Sequence, residues 1–131
     1  VRSRGLGDVY KRQAQEVGSL FVEIDFDASA IEIVRIDVAA LPSGTLFESG
    51  LRQGQLSIGV VNADGLTGDW AIAFVTCRRA TGAGTSGEST IVVSEIQAHR
   101  ATDLSEVLAY GLNGHVNMSS LAVSAPAITF S

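Results

Sequence analysis

The glycines of Gly82-Ala83-Gly84-Thr85-Ser86-Gly87 are spaced as in a loop that cradles the pyrophosphate of a dinucleotide. That chemistry needs a helix to follow at once, so that its free N-terminal amides meet the phosphate oxygens. Here Ser89-Thr90-Ile91-Val92-Val93 follows, and β-branched residues in that density predict a strand. The segment therefore reads as a flexible hairpin loop. Ser86 is no better placed as a nucleophile, because Gly87 comes one position too early for the sharp turn of G-x-S-x-G. His99 and His115 stand at no spacing from Cys77 or a serine that would build a nucleophile–base pair, and both read as turn or surface residues. Cys77 alternates with apolar neighbours and reads as a buried structural thiol.

The acids are the remaining candidates. Asp25 and Asp27 flank Phe26, and Asp64 and Asp69 share one loop. Carboxylates this close could hold Ca²⁺, but the EF-hand spacing with its distal Glu is absent, and no Cys, His and carboxylate cluster has zinc spacing. A glycosidase pair needs two carboxyls at a fixed separation across a sugar, which nothing in this pattern sets. These acids read as solvated. The sequence thus points to no catalytic residue, no metal site and no cofactor, and to a protein that is not an enzyme.

The bulk numbers bound what can surround such residues. A chain of 131 residues allows one domain, and 46% hydrophobic with 18% charged residues describes a packed globule. Fourteen glycines against two prolines favour many tight turns, as in an all-β protein. One cysteine excludes a disulfide scaffold, and no apolar run approaches the length of a membrane-inserted helix. Charge is uneven. Beyond residue 13 the chain carries five arginines, no lysine and thirteen acids, a net of −8, which would repel a nucleic acid backbone.

Val1 to Gln13 show neither helical nor strand periodicity. Four bases, Arg2, Arg4, Lys11 and Arg12, could suggest a signal-peptide n-region, but no apolar stretch follows at Ala14-Gln15-Glu16-Val17. Asp8-Val9-Tyr10-Lys11-Arg12-Gln13 is similar to the translated tail of a transposase adaptor used in sequencing libraries. Residues 1–13 are accordingly expected to be a foreign tag that stands in place of native sequence.

From there the period of two takes over. Leu20, Val22, Ile24 and Phe26 alternate with Ser19, Phe21, Glu23 and Asp25, the mark of a half-buried strand. Asp27 to Ala30 is a turn, and Ile31 to Val38 resumes extended character. Leu41 to Gln53 reads as loop, Gln55 to Val61 as a strand, and Asn62 to Asp69 as a turn cluster around Asp64-Gly65. Trp70 to Arg79 is apolar on both faces, as in a strand between two covered surfaces. Ser89 to Ala98 and His115 to Val123 are further strands. Asp103-Leu104-Ser105-Glu106 has capping-box spacing, which leaves a short helix or a turn equally open there. Ser124 to Ser131 reads as the start of a linker or a terminal strand. Short, regularly spaced strands without a long helix predict a β-sandwich or jelly roll.

Three stretches together resemble the cohesin family of bacterial surface modules. Phe26-Asp27-Ala28-Ser29-Ala30-Ile31-Glu32-Ile33-Val34 is similar to its aromatic-Asp-Pro strand-turn-strand. Asp64-Gly65-Leu66-Thr67-Gly68-Asp69 with Ile72 to Cys77 is similar to its G-D-G-x-L strand, and Ile91 to Ala98 to its L-S-E-V-x-A strand. Ala28, Trp70 and Cys77 depart from the family's usual Pro, Gly and Phe.

The resemblance implies a nine-stranded jelly-roll sandwich over residues 14–123 whose first strands lie upstream, where the tag now stands. Losing them would expose core surface and an unpaired edge, so a marginally stable, aggregation-prone chain is expected. It also implies a non-catalytic, extracellular or cell-surface bacterial module. Such a module docks dockerin-bearing proteins for polysaccharide breakdown, and the dockerin carries the calcium. Ser19 and Phe21 match positions where some cohesins place Asn and Asp against the dockerin, and Val61, Asn62 and Ala63 lie in the other contact region. Phe21 could not replace a carboxylate. The alternatives are a structural or adhesive sandwich of a surface protein, or a module that binds polysaccharide directly.

Overall fold

The computed structural model describes residues 2–3, 9–12 and 16–130. In chain order the strands are β1 (Arg2–Ser3), β2 (Val9–Arg12), β3 (Val17–Asp25), β4 (Ile31–Val38), β5 (Leu46–Arg52), β6 (Gln55–Leu66), β7 (Trp70–Arg79), β8 (Glu88–Arg100), β9 (Ala109–Leu112), β10 (Gly114–Asn117), β11 (Val123–Ser124) and β12 (Ala127–Phe130). They form two sheets. One runs β11-β10-β8-β3-β6-β5, and the other runs β4-β7, then β1 and β2, then β12-β9. The fold is an all-β sandwich.

Alternation does most of the folding. Leu20, Val22 and Ile24 of β3 and Leu56, Ile58 and Val60 of β6 turn inward and are almost fully buried. From the opposite sheet Ile72, Val75, Ile128 and Phe130 meet them, and Phe130 is among the largest side chains wholly removed from water. Each such side chain contributes about 1.5–3 kcal/mol through burial. Cys77 is buried and forms no disulfide, as its apolar alternation predicts.

Several expectations need correction. Residues 41–53 are not all loop, because β5 pairs with β6 from Leu46↔Val61 to Arg52↔Gln55. It was hidden because an edge strand is held from one side only and its pattern is almost wholly exposed. Asn62 to Gly65 do not reverse the chain. β3 steps from Ser19↔Val61 to Val17↔Leu66, so these four residues bulge out of the ladder and Leu66 rejoins it in the core. The turn proper is Thr67 to Asp69. Phe74 of β7 stands 45% exposed, so that strand is covered on one face only at this point.

No helix forms at Asp103. Its carboxylate accepts from the Ser105 amide at 3.0 Å and the Ser105 hydroxyl at 2.7 Å, closing a local turn instead of a cap, and Leu104 takes φ 60°. Residues 115–123 are two short strands, β10 and β11, around a turn at Met118 to Ser120. The last segment is the terminal strand β12, with Ala127, Ile128 and Phe130 buried. Backbone at Val9–Arg12, where the sequence shows no strand period, lies between β7 and β12. Such a ladder is made of backbone groups, so it does not require a period in the sequence that fills it. The edge expected to be open is thus paired.

Candidate functional site

Alternation that buries one side of β3 and β6 must present the other side to solvent. The outer face of β8-β3-β6-β5 follows row by row from the register. Leu46, Val61, Ser19 and His99 lie side by side in one row, and Glu48, Gly59, Phe21 and Gln97 in the next. Gly50, Ser57, Glu23 and Glu95 form the third row, and Arg52, Gln55, Asp25 and Val92 the fourth. Four strands spaced about 4.8 Å apart, with rows running about 20 Å from Ser19 to Asp25, make a patch that can serve as the centre of a small protein–protein interface.

The apolar part of this face is compact. Leu46 is 70% exposed, Val61 is 48% exposed, and half-buried Phe21 lies one row on. Phe21 pairs with Gly59, where an added Cβ would meet nothing, so the surface beside the ring is flat. On its other side the ring lines a shallow depression of about 310 Å³ with Gly50, Leu51, Gln55 and Ser57. Polar contacts fix the surroundings. The Gln55 amide donates to Asp25 Oδ1 at 3.2 Å, and the Ser94 hydroxyl donates to the Glu23 carbonyl at 3.2 Å. Ser19 Oγ lies 3.5 Å from His99 Nδ1.

Around that centre the charge is one-sided. Glu23, Glu48, Glu95 and Asp25 face Arg52 alone within the four rows, and none of them belongs to an ion pair among the described residues. Like-signed charges on one surface raise the local concentration of oppositely charged partners and speed their arrival.

The five residues singled out by resemblance do not all share this face. Ser19 and Val61 are direct neighbours across β3 and β6, and Phe21 is two residues along the same face. Asn62 points inward and is 3% exposed. Its amide donates to Thr45 Oγ1 at 2.8 Å, its carbonyl oxygen accepts from the Asp64 amide at 2.9 Å, and Thr45 in turn donates to the Pro42 carbonyl. Asn62 therefore organises the bulge and the approach to β5, and a partner cannot reach it. Ala63 is exposed within the bulge. Sequence reasoning missed Leu46, Glu48 and Arg52, because β5 carries no periodic signal of its own.

The acids weighed for calcium separate. Asp27 is exposed and accepts from the Ser29 amide at 2.9 Å and hydroxyl at 2.6 Å, which holds its carboxyl below the ordinary range. Among the described residues, no three His, Cys, Asp or Glu side chains converge as metal ligands. The Gly82 to Gly87 segment is a loop, as expected, but not a hairpin: β7 and β8 lie in different sheets, and the loop carries the chain from one to the other.

Comparison with known proteins gives a consistent architecture. No family model matches the chain, and no curated protein matches it. Among solved structures, the sixth cohesin of scaffoldin B from Acetivibrio cellulolyticus, in complex with a dockerin, superposes with TM-score 0.69 at 15% identity. That match covers 86% of this chain and 99% of the cohesin. A non-cellulosomal cohesin from the archaeon Archaeoglobus fulgidus gives TM-score 0.65 at 15% identity over 95% of this chain and 81% of the other. The cohesin module of a Clostridium perfringens family 33 glycoside hydrolase gives 0.57 at 12% identity, over 94% and 96%. The chain has the fold of these modules.

Proposed function

We propose that this chain is a non-catalytic, extracellular or cell-surface protein-binding module whose outer β8-β3-β6-β5 face receives a dockerin-type partner. The observation that carries the reading is the arrangement on that face: Leu46, Val61 and Phe21 form an apolar centre, and the acids beside it join no ion pair among the described residues. Interfaces of this kind draw most of their affinity from a few desolvated anchors and much of their association rate from complementary charge. The partner best suited to it presents an apolar patch on a helix, flanked by Lys or Arg. Calcium in such a pair belongs to the partner. One superposable cohesin is solved with a dockerin bound, which supports this partner class.

The test is titration calorimetry against a panel of calcium-loaded dockerins. Micromolar or tighter binding that Phe21→Ala weakens supports the reading, whereas binding unaffected by Phe21→Ala, or no binding across the panel, removes it. A second reading, a structural or adhesive sandwich of a surface protein, is favoured by one specific feature. Phe21 stands where dockerin-binding cohesins resembled by this sequence carry a carboxylate, and one superposable cohesin is described as non-cellulosomal. Direct polysaccharide binding is the weaker alternative, since Phe21 is the one aromatic ring in the four rows.

A further inference from the structure

Strand β5 is the sheet edge least protected against pairing, with Glu48 and Arg52 as its charged residues. Across the sandwich, β4 is also an edge, but its register shifts between Ile33 and Arg35, and Glu32, Arg35 and Asp37 line it. Bulges and charges of that kind prevent strand pairing. β9 has four residues and β11 two. β5 runs seven residues in unbroken register with β6, contains no Pro or Lys, and among the described residues pairs with β6 alone.

Hydrogen-bond parity shows which groups it offers. Arg52 and Gln55 close a two-residue hairpin, so they bond to each other, and every second residue back along β5 also turns its amide and carbonyl toward β6. The intervening residues, Leu51, Ser49 and Phe47, direct their backbone groups away from the sheet. The same residues carry the side chains on the inner side of the strand, because Leu51, Ser49 and Phe47 pair with the inward Leu56, Ile58 and Val60.

We propose that β5 is a self-association edge, at which a second copy of this chain adds its own β5 antiparallel about a two-fold axis through Ser49. The sequence of the strand is self-complementary in that register. Ser49 faces Ser49 and Phe47 faces Leu51 of the second copy, twice by symmetry, and all three pairs are of the hydrogen-bonded type. Leu51 is 50% exposed and lines an open hollow of about 570 Å³ between the sheets, with Phe26, Ile31 and Ile33. Residues directly opposite in an antiparallel pair share a face, so Phe47 of the second copy is delivered beside Leu51 at the mouth of that hollow. On the outer face, Glu48 of each copy comes within diagonal reach of Arg52 of the other, and the only cation of that face meets an acid. This association does not depend on the dockerin reading. It would join two outer faces into one continuous surface.

Sedimentation equilibrium and amide exchange test it on the full chain. The weight-average mass is expected to rise with concentration from 13.7 kDa toward twice that value, with the Phe47, Ser49 and Leu51 amides gaining protection in step. Ser49→Pro removes an outward amide that bonds to nothing among the described residues of the monomer, which edge strands tolerate, and it is expected to return the mass to that of the monomer. Ser49→Lys sets two ammonium groups against each other on the axis and gives the same readout if the proline variant does not fold. A chain that stays monomeric up to about 500 μM, or a dimer that survives both substitutions, overturns the proposal.

Discussion

The two outer faces of the sandwich handle charge in opposite ways. On the β4-β7 side the ions are matched locally: Arg35 Nε lies 2.8 Å from Asp37 Oδ2, and Arg78 Nε lies 2.7 Å from Glu32 Oε1. Phe74 is exposed there too, opposite Asp37, yet it sits among charges already neutralised. On the β8-β3-β6-β5 side the acids have no such partners among the described residues, and exposed apolar residues are gathered beside them. Exposed apolar area alone would not choose between these faces, since single hydrophobic residues on a surface are ordinary. Unmatched charge does choose. A face that completes its own ion pairs has little to gain from a partner, and one whose four carboxylates join no ion pair among the described residues, beside an apolar centre, has both steering and anchoring to offer.

The first way to break this contrast is to remove what both faces share. Phe130→Ala empties a wholly buried site between the sheets and is expected to destabilise the fold by about 3–5 kcal/mol in urea unfolding. Partner binding should fall only in proportion to the unfolded fraction. The paired substitutions Phe21→Ala and Phe74→Ala then separate the faces. Phe21→Ala should cost about 2 kcal/mol of partner affinity, about 30-fold in Kd, while Phe74→Ala should leave Kd within about twofold. Equal effects from the two would show that the faces are not distinct in function.

Legibility in the sequence followed the number of constraints on each residue. β3 and β7 are flanked by strands on both sides and pack a core, so their bounds are close to those read from alternation. β5 is held on one edge, and its Leu46-Phe47-Glu48-Ser49-Gly50-Leu51-Arg52 shows no clean period, so one of the four strands of the candidate face went unseen. The Asp103-Leu104-Ser105-Glu106 stretch misled because a helix cap and a local Asx turn use the same residue types. A cap bonds its side chain to amides two or three residues on inside a helix, and the turn bonds to residue i+2 with no helix behind it. The same Asp-x-Ser device recurs at Asp27-Ala28-Ser29, where it was read as a turn, and with Asn at Asn117-Met118-Ser119. Asn62 shows the limit of reading a site by resemblance. Its position in the chain lies beside Val61, but alternation turns it to the interior.

Charge gives the next test of the contrast. Replacing Glu23 and Glu95 together with Gln should slow partner association several-fold and flatten its dependence on ionic strength, with a smaller change in dissociation. Glu32→Gln on the opposite face should leave association unchanged, because that carboxylate is already paired with Arg78. Stopped-flow measurements at two salt concentrations read both. A similar loss of rate from Glu32→Gln would mean that the net charge of the whole molecule does the steering.

The smallest effect belongs to the turn that sets β3 against β4. The Ser29 hydroxyl and amide both donate to Asp27, and these bonds hold the Asp27 pKa below that of an ordinary aspartate. A carboxyl whose folded pKa is depressed adds stability that is complete above its unfolded pKa and disappears as pH falls through the folded one. The contribution from Asp27 should therefore be constant at neutral pH and be lost only in the acid range below its ordinary value. Ser29→Ala removes the hydroxyl bond, the stronger of the two influences, and should move the Asp27 pKa upward in an NMR titration. Acid unfolding should then begin at slightly higher pH, with no change near pH 7. Because Asp27 lies at the end of β3 away from Ser19 and Val61, partner affinity at neutral pH should not respond. If it did, the turn would belong to the binding face, and the division between a scaffold end and a recognition end of β3 would have to be redrawn.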